Sequence, residues 1–297
     1  MDIKTYLSQR RQLVDAALST LLPRPDNELA THLESLSYSL TAGGKRVRPI
    51  LCLATAEALG WQFDQRLMPI VCALECIHTY SLIHDDLPAM DDDELRRGKP
   101  TNHMIYGEAG AILAGDGLLT FAFELLSQPE TSHLLPERQQ LKIIQLIARA
   151  IGSLGMVGGQ ALDMDSEDKA ISLAALQMIH RCKTGALITA SVQTGAIIGK
   201  ASDAQFQALT SYGNHIGLAF QIVDDLLNVE GTAEQLGKAA GSDAKNSKAT
   251  YPAFFGVEET RERAQCTIQD AIDALSGFDQ AAEPLRELAR YIYSRTN

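Results

Sequence analysis

Several features that would direct function elsewhere are missing from this chain. No run approaches the ~18–20 uninterrupted apolar residues of a membrane span, and the opening Met1-Asp2-Ile3-Lys4-Thr5-Tyr6 lacks the apolar core of a secretory leader. A cytoplasmic protein with no integral membrane segment is expected. There are five cysteines (Cys52, Cys72, Cys76, Cys182, Cys266), an odd number, and no Cys-x-x-Cys. That excludes an obvious disulfide framework or zinc knuckle. Cys72 and Cys76, four apart in an apolar stretch, read as core packing. Basic residues are not in excess: 26 Lys and Arg face 37 Asp and Glu, for a net charge of −11. This balance argues against nucleic acid and anionic membrane surfaces as partners. It leaves small anionic substrates open, because local charge dominates at a site. No alternating strand pattern, internal repeat or low-complexity linker is present.

What the chain does have is helical periodicity. Of its 297 residues, 45% are hydrophobic and 21% charged, enough to bury a core. The pattern predicts helices over 3–22, 27–41, 49–59, 65–86, 107–127, 137–153, 155–165, 172–198, 203–229, 250–275 and 281–295, with Pro and Gly at the breaks. The expected fold is all-α, a single-domain bundle of about ten or more helices spanning 1–297. Residues 89–106 read as a loop. The polar stretch 231–249 reads as a loop or lid.

Five aspartates fall in nine positions in Asp85-Asp86-Leu87-Pro88-Ala89-Met90-Asp91-Asp92-Asp93, with Arg96-Arg97 just beyond. Clustered carboxylates repel unless a cation lies between them. Asp85 and Asp86 also end a long helix, where the dipole is already negative. Oxygen-only clusters suit Mg²⁺, which takes one or two carboxylates plus substrate phosphates, and the arginines suit a diphosphate. A solvated acidic loop is the plain alternative. A second pair, Asp224-Asp225, interrupts an apolar run with Gln221, and is costly there if unpaired. A buried pair with a basic neighbour would also explain it.

Gly43-Gly44-Lys45-Arg46-Val47-Arg48-Pro49 reads as an anion-binding turn before a helix. Lys183-Thr184-Gly185 lies inside a helical pattern, where Gly allows a local bend; a solvated face is the alternative for Lys183. Lys238 and Lys248 add basic charge downstream.

Together these strings resemble the trans-polyprenyl diphosphate synthases over nearly the whole chain. The likeness rests on Asp85-Asp86-x4-Asp91 with Arg96-Arg97, Gly43-Gly44-Lys45-Arg46-x-Arg48-Pro49, Gly158-Gly159-Gln160, Lys183-Thr184-Gly185, Gln221-x2-Asp224-Asp225 and Thr250-Tyr251-Pro252, all in order. Within that family the first motif is similar to that of bacterial farnesyl diphosphate synthases, with the same two-residue insertion. The resemblance implies helices around a central active-site cavity, of isoprenoid synthase type, and a homodimer. It implies about three Mg²⁺ per site, with Mn²⁺ as a substitute, held by Asp85, Asp91 and Asp224. Arg96, Lys183 and Lys238 would hold the allylic diphosphate, with Lys248 also on the substrate. Lys45, Arg48, His78 and Arg97 would hold isopentenyl diphosphate, and Thr184 and Gln221 would flank the developing cation. The implied reaction condenses isopentenyl diphosphate with dimethylallyl or geranyl diphosphate to farnesyl diphosphate. Geranyl or geranylgeranyl synthesis, a terpene cyclase and a non-catalytic subunit are the alternatives.

The chain departs from the family pattern in two places. Asn228 stands where a third aspartate is usual, which leaves the third metal site open, and Asn246-Ser247 precedes Lys248 where Gly is common before the Lys. Tyr80, five residues before Asp85 and ~7.5 Å along the axis, could close the product tunnel, with Ser81 leaving space beside it. Ordinary core packing is the alternative for Tyr80.

Overall fold

The computed structural model describes residues 1–24, 28–129, 134–230 and 249–294. The helices are α1 (Ile3–Leu21), α2 (Ala30–Thr41), α3 (Val47–Ala58), α4 (Met68–Asp85), α5 (Asn102–Leu126), α6 (Glu137–Ile151), α7 (Met156–Asp165), α8 (Leu173–Ile179), α9 (Ala186–Ile198), α10 (Asp203–Glu230), α11 (Tyr251–Ala274) and α12 (Glu283–Ser294). The fold is all-α, as the periodicity requires. Lys238 and Lys248, and all but the last residue of the 231–249 stretch, lie outside the described residues.

Three local departures matter. The expected loop 89–106 contains a small antiparallel hairpin, β1 (Leu95–Arg96) with β2 (Lys99–Pro100). Its turn, Arg97-Gly98, has positive φ at both residues (55° and 75°), the pairing a tight hairpin demands. Two-residue strands are too short to show as alternation. The expected helix 172–198 carries a π-helical segment, His180–Gly185, between α8 and α9. The bend anticipated at Gly185 is thus a widened turn, a form found often at functional sites. Helices α5 and α11 are each interrupted by a residue at φ 75°, Gly107 and Gly256.

The chain packs as two compact units. One comprises 7–50 and 64–144. There α4 lies against α5, and α2 against both. Helix α4 is apolar nearly all round, and thirteen of its residues are buried, including Cys72 and Cys76. A helix of that kind is an interior helix. Its one deeply buried charge, Glu75, takes Arg46 Nη1 at 2.7 Å.

The other unit comprises 1–6, 51–63 and 145–297. There α10 packs on α9, α11 and α12, and the π segment packs on α7, α8 and α10. Tyr212, fully buried, donates its hydroxyl to the Leu285 carbonyl at 2.7 Å and ties α10 to α12.

The expectation of no membrane-spanning segment rests on uninterrupted apolar runs, a stricter measure than length and mean hydropathy. Three stretches, 65–85, 102–126 and 137–165, are long and apolar enough to cross a membrane by length and composition. The first of these is mostly buried inside the protein.

Candidate active site

In the unit built on α4, the structure gathers most of the upstream candidates. Helix α4 ends at Asp85, and Asp86 is its C-terminal cap. The chain then folds back, so that the Asp91 N–H donates to the Asp85 carbonyl at 2.9 Å. Asp85 and Asp91 are both half-buried, while Asp92 is exposed and left-handed at φ 52°. Asp86 plays a different part. It is buried and receives Arg96 Nε at 2.7 and 2.9 Å. Burial pushes its carboxyl up, against the pull of Arg96. The compensation expected from a cation at this end of the helix is therefore supplied to Asp86 by Arg96, carried on β1. His84 further fixes the end of α4: with the proton on Nε2, it donates to the Ile112 carbonyl of α5 at 3.0 Å.

Asp85 and Asp91 form an all-oxygen donor set, and among the described residues no group of three or more His, Cys, Asp or Glu gathers as a metal cage. Mg²⁺ needs only one or two carboxylates where substrate phosphates complete its shell. The residues present fit that ion, and would not fit one requiring a full protein cage.

The basic candidates gather around His78. Arg48, Arg97, Arg96 and Arg46 all act on its ring, and burial together with these charges holds it well below the ordinary imidazole value. His78 is neutral at physiological pH and can both donate and accept. Arg97 lies over Gly44: a Cβ there would stand 2.7 Å from Nη1, so only glycine lets the guanidinium lie on the Gly43-Gly44 backbone. The guanidinium also donates to the Gly43 carbonyl. Lys45 is exposed beside it. Arg46, to which the sequence assigns no role, is buried beneath this turn. It donates to Asp15 at 2.8 Å, Glu75 at 2.7 Å and the Leu40 carbonyl at 2.7 Å.

Tyr80 is 6% exposed and meets His84 edge-on at 5.8 Å. Ser81 Oγ turns back to the His78 carbonyl at 2.9 Å.

In the unit built on α10, Thr184 Oγ1 donates to Gln221 Oε1 at 3.1 Å, bringing together two candidates 37 residues apart. Lys183 Nζ donates to Asp163 of α7 at 2.6 Å. Asp163 was not singled out from the sequence, although it lies three residues past Gly158-Gly159-Gln160. The reason for Gly159 is direct: a Cβ there would stand 2.2 Å from the Lys183 backbone nitrogen. Any side chain would displace the π segment and its lysine. Asp224 is half-buried, like Asp85 and Asp91, whereas Asp225 and Asn228 are buried. A neutral amide is far easier to bury than a carboxylate, which suits Asn at 228.

His180 was also missed. It is 6% exposed, stacks on Tyr251 at 5.6 Å, and buries Nδ1 without a hydrogen-bond partner. Burial lowers its pKa from 6.5 to about 4. The folded ring refuses a proton that the unfolded chain accepts, so its contribution is complete above pH 6.5 and is lost as pH falls towards 4. Between pH 7.5 and 5 this group should cost the fold about 2 kcal/mol. His78 acts in the same direction. Thermal melts should show Tm falling on acidification, and His180→Gln should flatten that slope. A slope unchanged by the substitution would remove His180 as a cause.

The polyprenyl synthetase family model matches residues 30–287. A geranylgeranyl diphosphate synthase of Cyanophora paradoxa is 46% identical over 297 residues, covering 100% of this chain and 97% of the relative. A farnesyl diphosphate synthase of Geobacillus stearothermophilus is 45% identical, covering 99% and 98%. Among solved structures, an FPP/GFPP synthase from Zymomonas mobilis superposes with a TM-score of 0.87 at 38% identity, over 98% of this chain and 99% of that one. Family match, full-length identity and superposition agree, and the chain belongs to the polyprenyl synthetase family.

Proposed function

We propose that this chain elongates prenyl diphosphates, condensing isopentenyl diphosphate with dimethylallyl or geranyl diphosphate to give (2E,6E)-farnesyl diphosphate. The observation that carries this is the cationic group around neutral His78, with Arg48 and Arg97 acting on its ring, next to an acidic turn that holds Asp85 beside Asp91. One diphosphate bound through metal and another bound through arginines is the requirement of a two-substrate reaction.

In this reading, Asp85 and Asp91, and Asp224, would hold Mg²⁺, which would supply charge to let the allylic diphosphate leave. Lys183, steadied by Asp163, and Arg96, steadied by Asp86, add fixed positive charge to the same group, as does Lys238. Lys45, Arg48, His78 and Arg97 orient isopentenyl diphosphate. Its double bond attacks C1 of the allylic cation, and a proton is lost to the released diphosphate, so no side-chain base is needed. Thr184 and Gln221, hydrogen-bonded to each other, present oxygen dipoles to the cation. The functional domain is taken as 1–297, since the family match draws on residues of both units.

The test is an assay with both substrates and Mg²⁺. Diphosphate release that needs both supports elongation. Release from the allylic substrate alone, or no release, defeats it. Product length is the finer question, because relatives of nearly equal identity, 46% and 45%, are named for twenty- and fifteen-carbon products. Tyr80 favours the fifteen-carbon product: its ring is buried and braced by His84 near the Asp85 end of α4. Tyr80→Ala should lengthen the product, and unchanged chromatograms would defeat that assignment.

A homodimer belongs to the same reading. Met104, Ile105, Ile112 and Leu113 of α5 are exposed, and a second copy would cover them. A single-chain mass in sedimentation would remove this part.

A further inference from the structure

The downstream aspartate pair divides in the structure. Asp224 is half-buried. Asp225, one residue further round α10, is 8% exposed, and its Oδ2 accepts the Tyr251 N–H at 2.8 Å. Tyr251 is the first residue of α11, and its N-cap, Thr250, makes no side-chain capping bond. The first turn of a helix carries orphan N–H groups and a positive dipole end, and a carboxylate is the favoured partner there. Asp225 thus does for α11, from 26 residues away, what Thr250 leaves undone. His180 closes the arrangement. Its ring stacks on Tyr251 within 18° of parallel, and its Nε2 lies 3.9 Å from the same carboxylate oxygen. One buried carboxylate therefore joins three elements: the helix bearing Asp224 and Gln221, the π segment bearing Lys183 and Thr184, and the start of α11.

We propose that Asp225 is a positioning residue and not a metal ligand: capping α11 at Tyr251 and packed with His180, it fixes the rotation of α10 so that Asp224 alone of the pair is presented to Mg²⁺. The metal half of this rests on the prenyl-transfer reading; the capping half does not.

The experiment compares Asp225→Ala, Asp225→Asn and Asp224→Ala in the full chain. It measures backbone hydrogen exchange at Tyr251 and, separately, Mg²⁺ binding by calorimetry in the presence of inorganic diphosphate. Asp225→Ala should accelerate exchange at Tyr251 by about 2- to 30-fold, the range of a lost cap. Asp225→Asn keeps an acceptor oxygen and should recover most of the protection. Mg²⁺ affinity should fall about tenfold or more in Asp224→Ala and less than about threefold in Asp225→Asn, as expected when only one of the two is a ligand. Unchanged exchange in Asp225→Ala overturns the proposal, as does an Asp225→Asn that loses Mg²⁺ as severely as Asp224→Ala. Should Asp225→Ala not fold, Asp225→Asn against Asp224→Ala still decides the metal question. An Asp224→Ala with unaltered Mg²⁺ binding counts against the prenyl-transfer reading and leaves the exchange result to decide the cap.

Discussion

Asp85→Ala lowers diphosphate release from isopentenyl and geranyl diphosphates by about 10²-fold or more, while its melting temperature falls far less than that of Asp86→Ala. Both halves follow from where the residue sits. Asp85 is the last residue of α4, at the negative end of the helix dipole. Removing that charge relieves the dipole but gives up its attraction to Arg96, two opposing effects that should leave only a small change in stability. Its backbone carbonyl, which holds Asp91 in place, is untouched by the substitution. In the proposed reaction, what disappears is one carboxylate that would hold Mg²⁺, a charge that matters most as the diphosphate departs. Loss of one such electrostatic stabiliser typically costs about 10²–10³ in rate, or roughly 2.7–4 kcal/mol. Asp86→Ala should behave in the opposite way. It strips Arg96 of the carboxylate that holds it, so stability should fall along with activity. Steady-state kinetics and melting curves on the two variants separate the roles. Near-normal turnover in Asp85→Ala would sink the metal assignment, and equal melting losses in both would sink the division of labour.

How far such roles could be read beforehand depended on sequence separation. The helices were legible because apolar periodicity over three or more turns is a strong local signal, and most predicted bounds fall within a few residues of those observed. The aspartate turn and the basic Gly43–Pro49 string were legible because their chemistry is crowded into a few positions. The partners of these groups were not. Arg96 meets Asp86 from a two-residue strand too short to register in the sequence. Lys183 meets Asp163 twenty residues away, and Asp225 meets the backbone of Tyr251. These pairings depend on how helices pack, and no local pattern records that. Gly185 gave the place of the distortion but not its form, since a bend and a π turn ask for the same small residue. Gly159 is similar: its motif was visible, but its reason, the Lys183 backbone against its Cα, exists only after folding.

The largest stability loss should come from a residue to which the sequence assigned no role. Arg46 stands at φ 51° in a turn whose two preceding glycines are also at positive φ. A non-glycine residue there carries strain of about 1–2 kcal/mol, which its contacts must offset. Those contacts are Asp15 on α1, Glu75 on α4 and the Leu40 carbonyl at the end of α2. Burial lowers the pKa of the guanidinium, but Glu75 and Asp15 outweigh it and hold the group above its ordinary value. Asp15 keeps contact with solvent, at 40% side-chain exposure, whereas Glu75 keeps almost none, at 2%. Arg46→Met therefore strands a carboxylate inside α4, and breaking a buried pair from one side costs about 3–5 kcal/mol. For a chain of this size that is a fall in Tm of roughly 6–15 °C. Arg46→Met combined with Glu75→Leu should recover most of the loss, because no charge is then left buried. The catalytic readout should differ from that of Asp85→Ala. The Gly43–Arg48 turn loses its anchor while the acidic turn keeps its own, so KM for isopentenyl diphosphate should rise by more than kcat falls. If the double variant melts as low as the single, the cost lies in lost packing and backbone strain, and the buried pair is not what holds this turn in place.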